Sequence, residues 1–305
     1  MFKNRTIAVI VPAYNEELLI GETLDTIPAF VDRIYVVNDC STDRTQEMIE
    51  DRQQRDSRIV FICHKENGGV GAAIVTGYKR SLDDGIEIAA VMAGDNQMDP
   101  AHLSKLLDPI VDGAAEFTKG NRLKYGYWKG MSRWRLFGNL LLNFLNKIAS
   151  GYWGINDPQN GYTGVSAAAL SKLDLDALYP RFAFENDMMI KSNVAGIPMM
   201  NVDIPARYGR ETSHIRYGSF ILETSYFLLK SFFWRVVVKF LRYQHPIYLA
   251  YVLGMSLMIL GGITTFFGEW WILPFGVALF VTAGIAEARQ AVRPMANQSP
   301  IKSWR

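Results

Sequence analysis

The chain has 305 residues, a formal net charge of +2 at pH 7 and a hydrophobic fraction of 49%. A charge this close to zero excludes a nucleic-acid partner held by bulk electrostatics. The hydrophobic residues are spread unevenly, because residues 1–215 have the composition of a soluble α/β domain and residues 216–305 are far more apolar. Two cysteines, Cys40 and Cys63, predict free thiols in a reducing compartment rather than a disulfide.

Short apolar runs alternate with helical patterns from the N-terminus onwards. Strands are predicted at residues 7–11, 33–37, 59–63 and 86–92, and helices at residues 17–29, 43–55 and 71–82. This order is typical of an α/β fold with a mostly parallel, doubly wound sheet and right-handed crossovers. The polar residues 1–6 show no signal-peptide pattern, so we expect this domain on the cytoplasmic side of a membrane.

Polar segments follow all four predicted strands, at residues 12–17, 38–43, 67–73 and 94–100. The carboxyl ends of parallel strands meet at one edge of a sheet, where open α/β sheets bind ligands. The glycines of the third segment lack the spacing of a dinucleotide fingerprint and follow the third strand rather than the first. Four such segments at one edge therefore predict a ligand site of another kind.

The fourth segment carries Asp95, Gln97 and Asp99. Asp99 directly before Pro100 is typical of a helix N-cap followed by proline at the first helical position. A cap does not account for Asp95 and Gln97, whose oxygen atoms suit Mg²⁺ or Mn²⁺ that is shared with a ligand's phosphates. The sequence thus predicts a metal–diphosphate site after the fourth strand.

The four segments together resemble the nucleotide-sugar-binding half of glycosyltransferase family 2, which has the GT-A fold, over residues 6–215. The motifs are Val-Pro-Ala-Tyr-Asn-Glu-Glu from Val11, Asn-Asp-Cys-Ser-Thr-Asp from Asn38 and Gly-Asp-Asn-Gln-Met-Asp-Pro from Gly94. Within the family, the chain is most similar to the dolichol- and polyprenol-phosphate sugar transferases. The resemblance implies inverting transfer of a hexose from a nucleotide-diphosphate sugar, of the GDP-mannose or UDP-glucose type, to polyprenyl or dolichyl phosphate.

The resemblance assigns six residues to the nucleotide sugar: Pro12, Tyr14, Glu16, Asp39, Asn67 and Asp95. A tyrosine ring packs on a base or ribose, and carboxylates accept hydrogen bonds from their N–H and O–H groups. It also implies Asp95 and Gln97 as ligands of Mg²⁺ or Mn²⁺. The first aspartate of the family's metal motif is replaced by Ala93. Three alternatives follow for the missing ligand: water takes its place, another residue such as Asp39 supplies it, or the metal binds more weakly.

The acceptor side carries fewer motifs. A strand is predicted at residues 114–119, and Arg122 after it resembles the family's phosphate-binding arginine; a surface arginine in a turn is the alternative. Asp157 resembles the family's catalytic carboxylate. Glu185 and Asp187 resemble the family's acidic pair, of which either residue would orient the acceptor.

A basic loop at residues 207–216 contains Arg207 and Arg210, which the resemblance assigns with Arg122 to the acceptor phosphate. A solvated basic loop is the alternative, and the position just before an apolar region favours phosphate or anionic headgroups. A helix at residues 134–150 has a polar stripe and an apolar face. It fits a core-packed helix and a helix in the membrane interface equally well.

The C-terminal third predicts a membrane region. Residues 218–243 place Arg235, Lys239 and Arg242 on one face, as in an interfacial helix, and residues 247–267 and 270–286 predict a transmembrane hairpin without internal charge. Basic residues flank the hairpin and are missing from its turn, so both ends are expected in the cytoplasm. The predicted division is a catalytic domain (1–215), an interfacial region (216–245), the hairpin (246–288) and a basic tail (289–305).

The sequence therefore predicts a membrane glycosyltransferase whose partners are a nucleotide sugar, a polyprenyl phosphate and the bilayer, and it leaves a homo-oligomer open. Two alternatives remain at this point. One is a family 2 enzyme that acts on a glycan or another lipid, although the Arg133–Trp134 pair lacks the glutamine of processive synthases. The other is a non-catalytic nucleotide-binding scaffold, which Ala93 alone supports.

Overall fold

The chain is described here in a computed structural model, for residues 1–123, 133–205, 217–265, 267 and 270–291. Its first part consists of β1 (Ile7–Ala13), α1 (Ile20–Asp25), β2 (Arg33–Asn38), α2 (Thr45–Arg55), β3 (Ile59–Cys63), α3 (Val70–Asp83) and β4 (Ile88–Val91). The predicted alternation of strands and helices is confirmed. The first helix is shorter than predicted, since Pro28 disfavours a helical conformation at the residue before it.

The second part completes the sheet. It contains a 3-10 turn (Pro100–His102), α4 (Leu103–Val111), β5 (Phe117–Asn121), α5 (Arg133–Ser150), β6 (Thr163–Ser166), α6 (Ala167–Leu170), α7 (Phe184–Val194) and β7 (Met199–Asp203). The strand order is β3-β2-β1-β4-β6-β5-β7. Only β6 runs antiparallel to its neighbours β4 and β5 within the described sheet. The mostly parallel sheet is confirmed; β6 has only four residues and little apolar pattern to predict it.

Strand β1 lies at the centre of the hydrophobic core, and all seven of its residues are buried. Ile7, Val9 and Val11 face one apolar cluster, while Ala8 and Ile10 face the other, on the opposite side of the sheet. A strand with both faces covered is expected in a parallel α/β sheet. Helix α3 approaches β1 so closely that a Cβ added at Gly77 would overlap the side chain of Ile10.

Three long helices follow: α8 (Tyr217–Tyr243), α9 (Pro246–Thr265) and α10 (Ile272–Ala291). Helices α9 and α10 are long and apolar enough to cross a membrane, as predicted for the hairpin. They pack through glycines, since a Cβ at Gly254 would lie 2.9 Å from the backbone nitrogen of Phe280, and one at Gly261 would lie 2.6 Å from that of Leu273. Small residues of this kind let two apolar helices approach at backbone contact.

The three cations that the sequence places on one face of α8 do not share one environment. Arg235 is fully buried and Lys239 is 6% exposed, and both contact protein groups, whereas Arg242 is exposed. The i, i+4 spacing correctly places Arg235 and Lys239 on one face, but that face points into the molecule. The opposite face exposes apolar side chains, among them Leu222, Tyr226 and Leu229.

The close approach of α3 and β1 gives a test of the fold. We expect Gly77→Ala to lower the free energy of unfolding by about 1–3 kcal/mol, because the added methyl overlaps a β-branched side chain that cannot swing away. Thermal melting in detergent measures the change. Gly154→Ala is the matched control, since a Cβ there meets no atom within 4 Å; equal melting temperatures for the two variants would contradict the packing described.

Candidate active site

The loops after β1 and β2 lie side by side at the carboxyl edge of the sheet. The Ser41 hydroxyl accepts a hydrogen bond from Asn15 N at 3.0 Å, and Asn15 Oδ1 accepts one from Thr42 N at 2.8 Å. Asn15 and Cys40 have φ angles of 56° and 62°, in the left-handed region that sharp turns use. The first loop therefore leaves Tyr14 half exposed over this edge, while Pro12 before it is buried.

Asp39, at the end of β2, connects the second and third loops. Its Oδ1 accepts from Gly68 N at 2.9 Å and its Oδ2 from Gly69 N at 2.7 Å. His64 Nδ1 lies 2.7 Å from the same Oδ1, and Asn67 Nδ2 donates to the Asp39 carbonyl oxygen at 3.2 Å. Asp39 is only 2% exposed, so its carboxylate holds the glycine loop in place.

The loop after β4 holds the acids predicted for the metal. Asp99 Oδ1 accepts from Ala101 N at 2.9 Å, which confirms the N-cap before Pro100. Asp95 has a different environment: its Oδ1 accepts from Gln97 N at 3.1 Å, and the half-buried side chain forms no ion pair with a cation of the described residues. Burial raises the pKa of Asp95, and the Gln97 hydrogen bond and the charge of Arg122 oppose this rise without cancelling it.

Arg122 follows β5 and pairs with Asp157. Its Nε donates to Asp157 Oδ2 at 2.7 Å, its Nη2 to Oδ1 at 3.0 Å, and its backbone N to Oδ2 at 3.1 Å. Asp157 is 4% exposed. The structure thus pairs Arg122 with Asp157, 35 residues away in the sequence, and the charge of Arg122 also acts on Asp95. The two-point pairing fixes the plane of the guanidinium.

Glu185 has a buried partner that the sequence did not reveal. Lys119 Nζ donates to Glu185 Oε2 at 2.5 Å and to the Asn160 carbonyl oxygen at 2.6 Å, and Lys119 has no exposed surface. Asp187 instead accepts from Tyr179 N and from Lys191, away from this pair. A lysine within a buried strand was the available signal, since a buried lysine requires an acid nearby.

Helix α5 holds the segment that carries Asp157. Asn143 Nδ2 donates to the Asn156 carbonyl oxygen at 2.7 Å, and Lys147 Nζ donates to Asn156 Oδ1 at 2.8 Å. The polar stripe of α5 therefore faces protein, as in a core-packed helix. The opposite face exposes Phe137, Leu140 and Phe144, each more than half accessible, so it suits an apolar medium.

The residues that could hold a divalent cation are Asp95 and Gln97. Among the described residues, no group of three acidic, histidine or cysteine side chains is arranged around one point. In the part of the chain that the structure describes, Asp95 is a half-buried carboxylate outside any ion pair, and Gln97 is an exposed amide two residues later. Both fit a hard ion that takes its other ligands from phosphates and water. The Ala93 side chain supplies no ligand. Arg207 and Arg210 lie outside the described residues.

Comparison with known proteins identifies the family. Residues 8–174 match the model of glycosyl transferase family 2, so the chain belongs to this family and is a glycosyltransferase. It is 28% identical, over 65% of this chain and 86% of the relative, to a UDP-N-acetylglucosamine–dolichyl-phosphate N-acetylglucosaminyltransferase of Methanococcus voltae. It is 30% identical, over 64% and 75%, to a polyprenol monophosphomannose synthase of Mycolicibacterium smegmatis.

A solved structure confirms the GT-A type of fold. Glucosyl-3-phosphoglycerate synthase of Mycobacterium tuberculosis, crystallised with Mn²⁺ and UDP, superposes with a TM-score of 0.53 over 76% of this chain and 80% of that chain. The two sequences are 18% identical, so this likeness concerns the fold. The resemblance predicted from the loop motifs, to family 2 and to its polyprenol-phosphate sugar transferases, is confirmed by the family match and the relatives.

Asp39 offers a test of the site geometry that does not depend on activity. We expect Asp39→Asn to accelerate amide hydrogen exchange in a peptide covering residues 64–72. Asparagine keeps one oxygen acceptor, so its NH₂ donor would face the N–H group of either Gly68 or Gly69. Exchange measured by mass spectrometry reports the change. Glu66→Gln, at an exposed position in the same segment, is the control and should exchange like the unmodified protein. Unchanged exchange in Asp39→Asn would contradict the clamp.

Proposed function

We propose that this glycosyltransferase moves a hexose, with inversion, from a nucleotide-diphosphate sugar of the GDP-mannose or UDP-glucose type to a polyprenyl or dolichyl phosphate at the cytoplasmic membrane face. The carrying observation is that α5, which holds the Asp157 segment, packs along α8, which leads into the two apolar helices. An active site joined in this way to a membrane hairpin suits an acceptor that is itself in the bilayer. Relatives named for dolichyl-phosphate and polyprenol products support the same acceptor class.

In this proposal the nucleoside binds over the edge formed by the first three loops. Tyr14 supplies a ring face, Pro12 and Glu16 line the same loop, and the glycine loop held by Asp39 allows a close approach of backbone N–H groups. Asn67 lies in that glycine loop. We also propose that Asp39 contacts the base or ribose. Its carboxylate oxygens keep lone pairs beyond those that accept from Gly68 and Gly69.

Asp95 and Gln97 would hold Mg²⁺ or Mn²⁺ beside the diphosphate. A divalent ion bound there would neutralise charge on the leaving nucleoside diphosphate. Burial of Asp95 strengthens its attraction for a cation, because charges interact more strongly in a low-dielectric environment than in water. The ligand missing at Ala93 is assigned in this proposal to water and the donor's phosphates.

The acceptor phosphate would attack the anomeric carbon from the side opposite the leaving diphosphate. A phosphate monoester has a second pKa of about 6, so the attacking oxygen is already deprotonated at neutral pH and no strong base is required. Arg122 would bind this phosphate, with Asp157 fixing the guanidinium plane rather than removing a proton. Glu185, neutralised by Lys119, would orient the acceptor from α7. Arg207 and Arg210 are proposed to assist on the sequence pattern alone.

The direct test uses the full chain in membranes or lipid nanodiscs with polyprenyl phosphate, Mn²⁺ and a panel of labelled nucleotide sugars. We expect one donor to give a lipid-extractable labelled product and a chelator to abolish it. Labelled sugar on a water-soluble glycan instead would support the other family 2 acceptor class. Donor binding without any transfer would support a non-catalytic scaffold, and either outcome overturns the proposal.

The metal assignment predicts a difference between two acids of one loop. We expect Asp95→Asn to lower the rate of transfer by about 100-fold or more. Without the Asp95 carboxylate, the divalent cation that would stabilise the leaving diphosphate is no longer held in place. Asp99→Asn should keep near-normal activity, because asparagine caps a helix as well as aspartate does. Initial rates at saturating donor and varied Mn²⁺ compare the two variants. Equal losses of rate would contradict the assignment of Asp95 as a metal ligand.

The phosphate assignment predicts a selective loss at Arg122. We expect Arg122→Lys to reduce kcat/KM for the lipid acceptor by about 10- to 100-fold, because a lysine cannot make the two-point pairing that orients the charged group. The affinity for the nucleotide sugar, measured by titration calorimetry, should stay within twofold of normal by the same reasoning. Arg55→Lys, on the exposed face of α2, is the control. Weaker donor binding in Arg122→Lys would place Arg122 on the donor instead.

A further inference from the structure

A buried ion pair joins α8 to the end of the membrane hairpin. Arg235 Nη1 lies 2.5 Å from Glu287 Oε1, and Arg235 Nη2 lies 3.1 Å from Glu287 Oε2. Tyr248 and Tyr251, on the first two turns of α9, donate their hydroxyls to the same carboxylate at 3.3 and 3.0 Å. All four side chains are buried. One acid on α10 therefore organises groups from all three C-terminal helices.

The other side of Arg235 contacts the catalytic domain. Its Nε donates to the Ala149 carbonyl oxygen at 2.8 Å and its Nη2 to that of Ile148 at 3.0 Å. These carbonyls belong to the last turn of α5, where backbone oxygens have no partner within the helix. Burial alone would lower the pKa of Arg235, but the charge of Glu287 outweighs it and the pKa is raised, so the guanidinium stays charged between the domain and the hairpin.

Helix α7 is held in the same way. Lys239 Nζ donates to the Asn193 side-chain oxygen at 2.8 Å and to its carbonyl oxygen at 3.2 Å, and the Tyr243 hydroxyl donates to the Val194 carbonyl oxygen at 2.9 Å. Burial lowers the pKa of Lys239 to about 7, with the charge of Arg235 acting in the same direction. Helix α8 thus caps the C-terminal ends of both α5 and α7.

These two helices carry the acceptor side of the proposed site elsewhere along their length. Asn143 and Lys147 of α5 hold Asn156, the residue before Asp157, and α7 begins next to Glu185. Asn146 of α5 and Asn186 of α7 are joined by a buried hydrogen bond of 2.6 Å. The contacts of α8 with the ends of α5 and α7 therefore fix where the hairpin lies relative to the segment that holds Asp157 and Glu185.

We propose that Arg235 and Glu287 are positioning residues, which seat the membrane hairpin on the catalytic domain in one orientation and so align a membrane-embedded acceptor with the site. This inference rests on the proposed lipid acceptor. A hairpin that served only as an anchor would need no buried charge, because apolar residues of similar volume are often at least as stable. The hydrogen bonds of Arg235 and Glu287 to two tyrosine hydroxyls and two helix-end carbonyl oxygens instead can all form in only one orientation of the hairpin.

The experiment replaces the pair as a unit, with Arg235→Met and Glu287→Met together, in the full chain in nanodiscs. We expect nucleotide-sugar affinity near that of the unmodified protein, and melting lowered much less than by removal of one partner alone, because neither Arg235 nor Glu287 is left buried without the other. Turnover of a long-chain polyprenyl phosphate should fall by about 100-fold, as expected when an acceptor is misplaced by about 1 Å. Turnover of a short, water-soluble prenyl phosphate should change little, since that acceptor is not held by the bilayer.

A matched control replaces Glu223 and Lys230 by methionine, which also removes one acid and one cation, from exposed positions of α8. It should keep the normal ratio of long-chain to short-chain turnover. If the double variant does not fold, Glu287→Gln replaces it, because glutamine preserves the shape of the side chain. We expect Glu287→Gln also to lower the ratio of long-chain to short-chain turnover. A normal ratio in the variants of the pair, or an equal loss on both acceptors, would overturn the proposal.

Hydrogen exchange separates this inference from the proposed function. We expect faster exchange in peptides that cover residues 146–150 and 190–195 of the double Arg235 and Glu287 variant, because the ends of α5 and α7 lose their caps. If the unmodified protein makes no lipid-linked sugar, the proposed function fails while this measurement still decides whether the pair seats the hairpin. Unchanged exchange would overturn the seating.

Discussion

The position of β1 between two parallel neighbours is the constraint on which the site depends. Ala13 pairs with Asn38 of β2, and Ile10 pairs with Val91 of β4, so all three strands end at the same edge. Both faces of β1 are covered by apolar residues. The polar residues that follow these strands have no place in the core and gather at the edge, where the hydrogen bonds of Asp39, Asn15 and Ser41 lock the loops together.

The acids at this edge differ in their partners, and this difference decides what each can do. Asp157 is engaged by Arg122, and Glu185 is engaged by Lys119, so both carboxylates are neutralised by a cation of the protein. Asp39 binds backbone N–H groups. Within the described residues, Asp95 is the one of these four acids that is half-buried with no ion pair to a lysine or arginine; it accepts from Gln97 N and is influenced by the charge of Arg122. That environment is the physical reason for assigning the divalent ion to Asp95 and positioning roles to the others.

The C-terminal helices pack against the elements that carry the acceptor side of the proposed site. The proposed lipid acceptor would have to meet the catalytic domain in a defined position, because a misplacement of about 1 Å can cost about 100-fold in rate. In the described residues, α8 packs along α5 and α7, and Arg235, Lys239 and Tyr243 donate to carbonyl oxygens at the ends of both helices. The exposed apolar faces of α5 and α8 extend the surface offered by the hairpin.

The sequence by itself determined the alternation of strands and helices, the Asp99 cap, the family and the apolar hairpin. Each depends on local periodicity or on residues close together in the chain. Only the tertiary structure decided the direction of β6, the partners of Asp157 and Glu185, and the inward direction of Arg235 and Lys239. Periodicity shows that cations share a helix face but not whether that face meets solvent or protein, because the partner, such as Glu287 for Arg235, lies 52 residues away.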